Sequence, residues 1–251
     1  MIKITGLSAG YQGTPVLQDL NLTIPAGTVT ALVGPNGCGK TTLLRVMAGQ
    51  LPPIGGSVTV NGKDVVGYDR KELARTVAIL PQTRDIPALT VEALVQHGRY
   101  PHLGLSRRLT ARDREMVARA MAQTDVTDLA HRELRELSGG QRQRAYIAMA
   151  LAQDTDIILL DEPTTHLDLN RQFELLTLLQ QLNAAGKTIV VVLHDLSHAL
   201  RFSQNMVLLE EGRLVQTGSP QALLESGRLE QVFGIRIQKT PDGCLFFPGQ
   251  P

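Results

Sequence analysis

The sequence carries almost no excess charge: 25 lysines and arginines face 24 aspartates and glutamates across 251 residues. That balance removes any bulk electrostatic reason to expect a nucleic-acid or anionic-lipid surface. Cysteine is nearly absent. Cys38 and Cys244 stand at no metal-ligand spacing, and Cys38 falls inside a glycine loop that a disulfide would block, so a reducing compartment is expected. Long apolar runs are missing as well. The longest, such as Ile189 to Leu193, fall far short of the ~20 residues a membrane helix needs, so work at a membrane would require spans from other chains. The start, Met1-Ile2-Lys3-Ile4-Thr5, shows no basic segment followed by an apolar core, and no signal peptide is expected. There is no internal repeat, no low-complexity linker and no heptad insert. What remains, 43% apolar and 20% charged, is the composition of an ordinary soluble globular chain, long enough for one substantial core.

The most informative stretch is Gly34-Pro35-Asn36-Gly37-Cys38-Gly39-Lys40-Thr41-Thr42. It follows the apolar run Val29 to Val33 and opens a helical pattern in which Leu43, Leu44 and Met47 share a face. Strand, glycine loop and helix in that order make a phosphate-binding loop. Glycines let backbone N–H groups point inward, the helix N-terminus adds roughly half a positive charge, and Lys40 supplies a full one. Thr41 is then placed for Mg²⁺ and Thr42 for a phosphate oxygen. A nucleoside triphosphate is the expected ligand.

Around this loop, Ile2 and Ile4, then Leu20, Leu22 and Ile24, alternate with polar residues as half-buried antiparallel strands do. Ser57 to Val60 reads as a short strand closed by Asn61-Gly62, Lys71 to Arg75 as a short helix, and Val77 to Leu80 as a strand stopped by Pro81. From Thr90 the pattern turns helical, with Thr110 and Asp113 as a capping box and a further helix from about Gly140 to Gln153. Ile157 to Leu160 and Ile189 to Leu193 are uninterrupted apolar runs, suited to parallel strands covered on both faces. Met206 to Leu209 and Arg213 to Gln216 flank a hairpin turn, and Ser219-Pro220 opens a last helix. The expectation is an α/β core interrupted by a helical insert over roughly residues 88 to 153.

Two further motifs carry chemistry. Asp161-Glu162 closes the strand after the insert, where open α/β sheets place their ligands. Adjacent strand residues point to different sides, which suits Asp161 to a Mg²⁺ shell and Glu162 to a water that attacks the γ-phosphate. Leu137-Ser138-Gly139-Gly140-Gln141 is a good N-cap before a helix and equally a second anion site; the residues alone leave both open.

That pentapeptide is the signature of the ATP-binding-cassette ATPases, and the whole chain resembles the family with its motifs in order. The resemblance implies a P-loop NTPase (RecA-like) core with an N-terminal antiparallel β subdomain and an inserted α-helical subdomain. Its segments are 1–87, 88–153, 154–218, and 219–251 as a short C-terminal helix and tail. It implies that Tyr11 stacks on adenine, that Asn36 to Thr42 and Ser138 to Gln141 bind nucleotide, and that Thr41, Gln82 and Asp161 hold Mg²⁺. Glu162, His194 and Lys40 become the catalytic residues, and Asp168 a coupling residue at the dimer seam. Two copies would close head to tail on two ATP. Transmembrane permease subunits would be the partners, a substrate-binding protein an indirect one, and nucleic acid no partner. The place of work would be the cytoplasmic face of a bacterial inner membrane. Gly98 to His102 and the stretch from Gln141 to Asp168 look like the ATPase subunits of importers for iron complexes, above all ferric siderophores, with relatives serving haem and cobalamin. In that likeness Arg99, Tyr100, Pro101 and His102 face the permease. His166, in Thr165-His166-Leu167-Asp168, replaces a small residue common in the broad family, and its role is left open.

Overall fold

The structure is a computed structural model that describes residues 1–82, 86–104, 108–165, 167–240 and 243–249. Strands β1 (Ile2–Tyr11) and β2 (Thr14–Ile24) form the first hairpin, and Ile2, Ile4, Leu20, Leu22 and Ile24 are all buried, as their alternation requires. Strand β3 (Val29–Val33) leads into helix α1 (Lys40–Met47). Strands β4 (Gly55–Val60) and β5 (Lys63–Asp64) follow, then α2 (Arg70–Thr76), capped by the Asp69 carboxylate, and β6 (Val77–Leu80). The helical stretch comprises α3 (Val91–His97), a 3₁₀ turn at Tyr100–His102, α4 (Ala111–Gln123) and α5 (Gly139–Ala152). Thr110 and Asp113 form the expected capping box on α4. Thereafter come β7 (Ile157–Leu160), α6 (Leu169–Ala184), β8 (Thr188–Val192), α7 (Leu196–Phe202), β9 (Asn205–Glu210) and β10 (Arg213–Gly218).

Among the described residues β1, β2, β4 and β5 make a four-stranded sheet of order β2-β1-β4-β5, every pair antiparallel. The central sheet has order β10-β9-β3-β8-β7-β6, parallel except for the β9–β10 hairpin. Every residue of β3, β7 and β8 is buried, which is why these strands read as unbroken apolar runs. One apolar cluster joins the antiparallel sheet and α1 to one face of the central sheet through Leu17, Leu32, Leu43, Leu159 and Val192. The other face shares its core with the helical stretch: Ala31, Val33 and Val191 belong to the same cluster as Val117, Met121, Ala145 and Ile147. The insert is therefore packed onto the sheet and not a separate core.

The C-terminal segment differs from the expected helix and tail. Ser219 and Pro220 do start a helix, α8 (Pro220–Glu225), but α9 (Arg228–Phe233) and an antiparallel hairpin, β11 (Ile235–Thr240) with β12 (Gly243–Pro248), follow it. Ile235, Ile237 and Phe246 lie against the main core cluster. The sequence hides this because β11 alternates weakly and its partner contains Pro248.

Arg99 requires a second correction. Its guanidinium is not offered to a partner: it is buried, with Nε 2.9 Å from Asp113 Oδ1 and Nη1 donating to the Ala152 carbonyl at 2.7 Å, tying the end of α3 to α4 and α5. His102 Nε2 lies 2.8 Å from the Gln153 carbonyl oxygen, and the Pro101 carbonyl accepts from Arg75 Nε at 2.8 Å. Tyr100 alone of this group is well exposed, its ring 4.6 Å from that of His97.

Candidate active site

The site lies at the carboxyl ends of β3, β7 and β8, adjacent in the central sheet. Gly34 leaves β3 at φ 149, and a Cβ there would meet the Leu209 carbonyl oxygen of β9 at 2.1 Å, so only glycine lets the loop turn this close to the neighbouring strand. Gly39 is the N-cap of α1 in the left-handed region with no side-chain cap, which leaves the first-turn N–H groups to the loop's concave side. Lys40 is buried and its Nζ donates to the Gly34 and Pro35 carbonyls at 2.7 and 2.8 Å, so its charge lies across the loop. Cys38 is buried in the core beneath the loop and does not line the cleft.

Facing the loop is the pair that ends β7. Asp161 is 2% exposed, and its Oδ1 has no hydrogen-bond partner. Burial pushes its carboxyl above the usual carboxylate range and the neighbouring Glu162 charge adds to that, while the Thr41 hydroxyl bond and the charges of Arg45 and Lys40 pull the other way. Glu162 has φ 50, a strained conformation for a residue with a side chain. Its carboxylate is held from two sides: Gln82 Nε2 donates to Oε2 at 2.5 Å, and His194 Nε2 lies 2.6 Å from Oε1. The Thr165 hydroxyl reaches Oε2 at 3.4 Å. His194 follows β8, one residue beyond Leu193, whose N–H donates to Leu32 of β3, and Asp195 caps α7 immediately after it.

These groups share a cleft of about 620 Å³ lined by Tyr11, Val16, Asn36, Gly37, Gly39, Lys40, Thr41, Thr42, Gln82, Glu162 and His194. Tyr11, Asn36, Gly37, Gly39, Lys40, Thr41, Thr42, Gln82, Glu162 and His194 of the sequence-predicted residues therefore meet in one place. Val16 was not foreseen; an apolar residue early in an alternating strand gives no sign of it. Arg45, whose Nη1 donates to the Tyr11 hydroxyl at 3.1 Å, also escaped the motif reading.

Ser138 to Gln141 and Asp168 lie outside this cleft, as do Arg99 to His102. Ser138 is exposed and caps α5: its hydroxyl accepts from the Gln141 N–H at 3.2 Å, while the Gln141 side chain accepts from the Ser138 N–H at 3.0 Å. Asp168 is exposed and caps α6 by accepting from the Arg171 N–H at 2.9 Å. Neither touches the chain's own phosphate loop. His166 lies outside the described residues.

Chemically, this is a cationic cradle with a buried, unsatisfied carboxylate oxygen on one side and a positioned carboxylate on the other. That suits a polyphosphate, a divalent cation and an attacking water.

The family model for ABC transporters matches residues 17–165. The iron(3+)-hydroxamate import ATP-binding protein FhuC of Bacillus subtilis (strain 168) is 45% identical over 238 residues, covering 94% of this chain and 88% of the relative. The ferric enterobactin transport ATP-binding protein FepC of Escherichia coli (strain K12) is likewise 45% identical over 238 residues, with 94% and 88% covered. Among solved structures, a dimeric bacterial ABC transporter cassette, MJ0796, superposes with a TM-score of 0.79 at 28% identity over 88% of this chain and 99% of its own. Motif order, site geometry and these similarities lead to one conclusion: the chain belongs to the ABC transporter family, as an ATP-binding subunit.

Proposed function

We propose that this chain hydrolyses ATP to drive a membrane importer of iron complexes, with ferric siderophores as the cargo. The carrying observation is Glu162, held by Gln82 and His194 at the mouth of the Lys40 loop. Lys40 and the first-turn N–H groups of α1 bind the phosphates. Glu162 takes the proton of the attacking water onto its carboxylate, and His194 orients that carboxylate and steadies charge spreading over the phosphoryl oxygens. Tyr11, exposed at the rim, stacks on the adenine.

The residues fit a Mg²⁺ ion. A buried carboxylate oxygen without a partner is costly unless a cation or donor completes it, and Asp161 Oδ1 is such an atom beside Thr41. Thr41 and Asp161 would hold the ion, and Gln82, whose amide nitrogen is engaged by Glu162, offers its carbonyl oxygen. The bound ion would offset charge on the phosphates.

Ser138 to Gln141 present a helix N-terminus on an exposed surface, away from the chain's own cleft. A second copy, arranged head to tail, brings that terminus to the first copy's triphosphate, so ATP binding supplies attraction between copies and hydrolysis weakens it. Asp168 lies at the seam of that dimer. Tyr100 is the exposed anchor for a permease, which supplies the membrane spans; no helix among the described residues is long and apolar enough to cross a bilayer. This subunit then works at the cytoplasmic face of the membrane, and the substrate-binding protein reaches it only through the permease.

The cargo names of FhuC and FepC support the iron-complex reading. It is tested by uptake in cells carrying the wild-type chain or Glu162→Gln and offered ferric siderophores, haem and cobalamin in turn. Loss of siderophore uptake in the variant is the expected result. Loss of haem or cobalamin uptake instead assigns the chain to that branch, and no loss at all sinks the iron-complex assignment.

A further inference from the structure

Helix α1 has a second working end. Its first turn lines the cleft, and Thr41 and Arg45 lie on one face of it, four residues apart. The Gln50 and Leu51 N–H groups donate to the Arg45 carbonyl at 2.8 and 3.3 Å, which pins the helix where this side chain leaves it. The guanidinium reaches across to the end of β1. Nη1 donates to the Tyr11 hydroxyl at 3.1 Å, and Cζ lies 6.0 Å from the centre of the Tyr11 ring.

Tyr11 needs such a contact. It is 41% exposed, at the last position of β1 before the Gln12-Gly13 turn, so strand packing leaves its ring largely unsupported. Among the described residues Arg45 makes both the hydrogen bond to its hydroxyl and the cation contact to its ring. A free aromatic side chain loses rotamer freedom when a ligand stacks on it, and a ring already held loses less.

We infer that Arg45 is a positioning residue for nucleobase binding, holding the Tyr11 ring at the orientation in which a purine stacks on it. The inference rests on the reading of Tyr11 as the base-stacking residue. One short helix then fixes both ends of the nucleotide: from Lys40 to Arg45 the axial rise is about 7.5 Å, set by helix geometry and not by loop conformation.

Arg45 also acts on the Asp161 carboxyl through its charge, so replacing it could disturb the metal end of the site. Tyr11→Phe separates the two effects, because it removes only the hydroxyl and leaves the guanidinium in place. The experiment measures binding of ATP and of inorganic tripolyphosphate, both with Mg²⁺, to the full chain by calorimetry. The set is the wild type, Arg45→Gln, Tyr11→Phe, the double variant and Tyr11→Ala. Arg45→Gln and Tyr11→Phe should each weaken ATP binding about 3- to 10-fold and leave tripolyphosphate binding unchanged. The double variant should be no weaker than Arg45→Gln alone, since the hydrogen bond that Tyr11→Phe removes is already lost there. If Tyr11→Ala weakens ATP binding while Tyr11→Phe and Arg45→Gln do not, the role of Arg45 falls and the stacking role of Tyr11 stands. If Tyr11→Ala has no effect, the stacking reading itself falls. Equal weakening of ATP and tripolyphosphate by Arg45→Gln would assign the residue to the phosphate end and overturn the inference.

Discussion

His194 Nε2 lies 2.6 Å from Glu162 Oε1, a contact that joins the carboxyl ends of the neighbouring parallel strands β8 and β7. The proposed base and the residue proposed to orient it are therefore positioned by neighbouring strands of one sheet. Glu162→Gln keeps the shape but turns one of the two carboxylate oxygens into a donor, and it cannot accept the proton. ATP binding should persist while turnover falls about 10²- to 10⁴-fold, read as phosphate release in a single-turnover assay. Full turnover in this variant would falsify the assignment.

Ser138 caps α5 and, in the head-to-tail dimer proposed above, also faces the second copy. Ser138→Arg removes the cap, at about 1 kcal/mol, and places a bulky cation where the partner's nucleotide should dock. ATP binding to the monomer should survive, and ATP-dependent dimer formation in the Glu162→Gln background should vanish. Light scattering with and without ATP decides it; an unchanged dimer removes Ser138 from the interface.

The Arg99–Asp113 pair predicts an acid limit to stability. Burial raises the Asp113 carboxyl, but hydrogen bonds from the Thr110 hydroxyl and backbone and from Arg99, with the charge of Arg99, more than offset this and hold it at about 2. In the unfolded chain it returns to the ordinary value of about 3.9. Its contribution is therefore complete above about pH 4 and is lost as pH falls towards 2. Denaturant unfolding across that range should show a decline in the wild type that is shallower in Asp113→Asn. Asp113→Ala, which strands a buried guanidinium, should cost about 3–5 kcal/mol at neutral pH.

Tyr100 tests the proposed permease contact apart from the chemistry. Tyr100→Ala removes an exposed ring that packs on His97. Siderophore uptake should fall several-fold while ATP affinity of the isolated subunit stays within about twofold. A variant that transports normally would put the permease contact elsewhere.

The phosphate loop, the Asp161-Glu162 strand end and the buried parallel strands were legible because each rests on local chemistry: glycines before a helix, carboxylates after an apolar run. Gln82 and His194 were assigned through family resemblance, since a lone glutamine after a proline or a lone histidine says little by itself. Their meeting at Glu162 is a product of sheet order. Arg99 misled for a related reason. The resemblance to importer ATPases puts it with Tyr100, Pro101 and His102 on the permease face, and only the packing of α3 on α4 and α5 reveals the carboxylate that buries it. Hairpin β11–β12 was invisible because its contacts to the core lie far off in sequence.

The close approach of Gly34 to the Leu209 carbonyl decides where this nucleotide site can be redesigned. Any heavier residue at position 34 must lift β9 away from β3, so the triphosphate end resists change one substitution at a time. The rim is under no such constraint. Tyr11, Val16 and Arg45 occupy the ends of a hairpin and a helix, where side chains can be exchanged without moving the sheet. A library aimed at making this subunit accept another nucleobase would keep residues 34 to 42 fixed and vary these three.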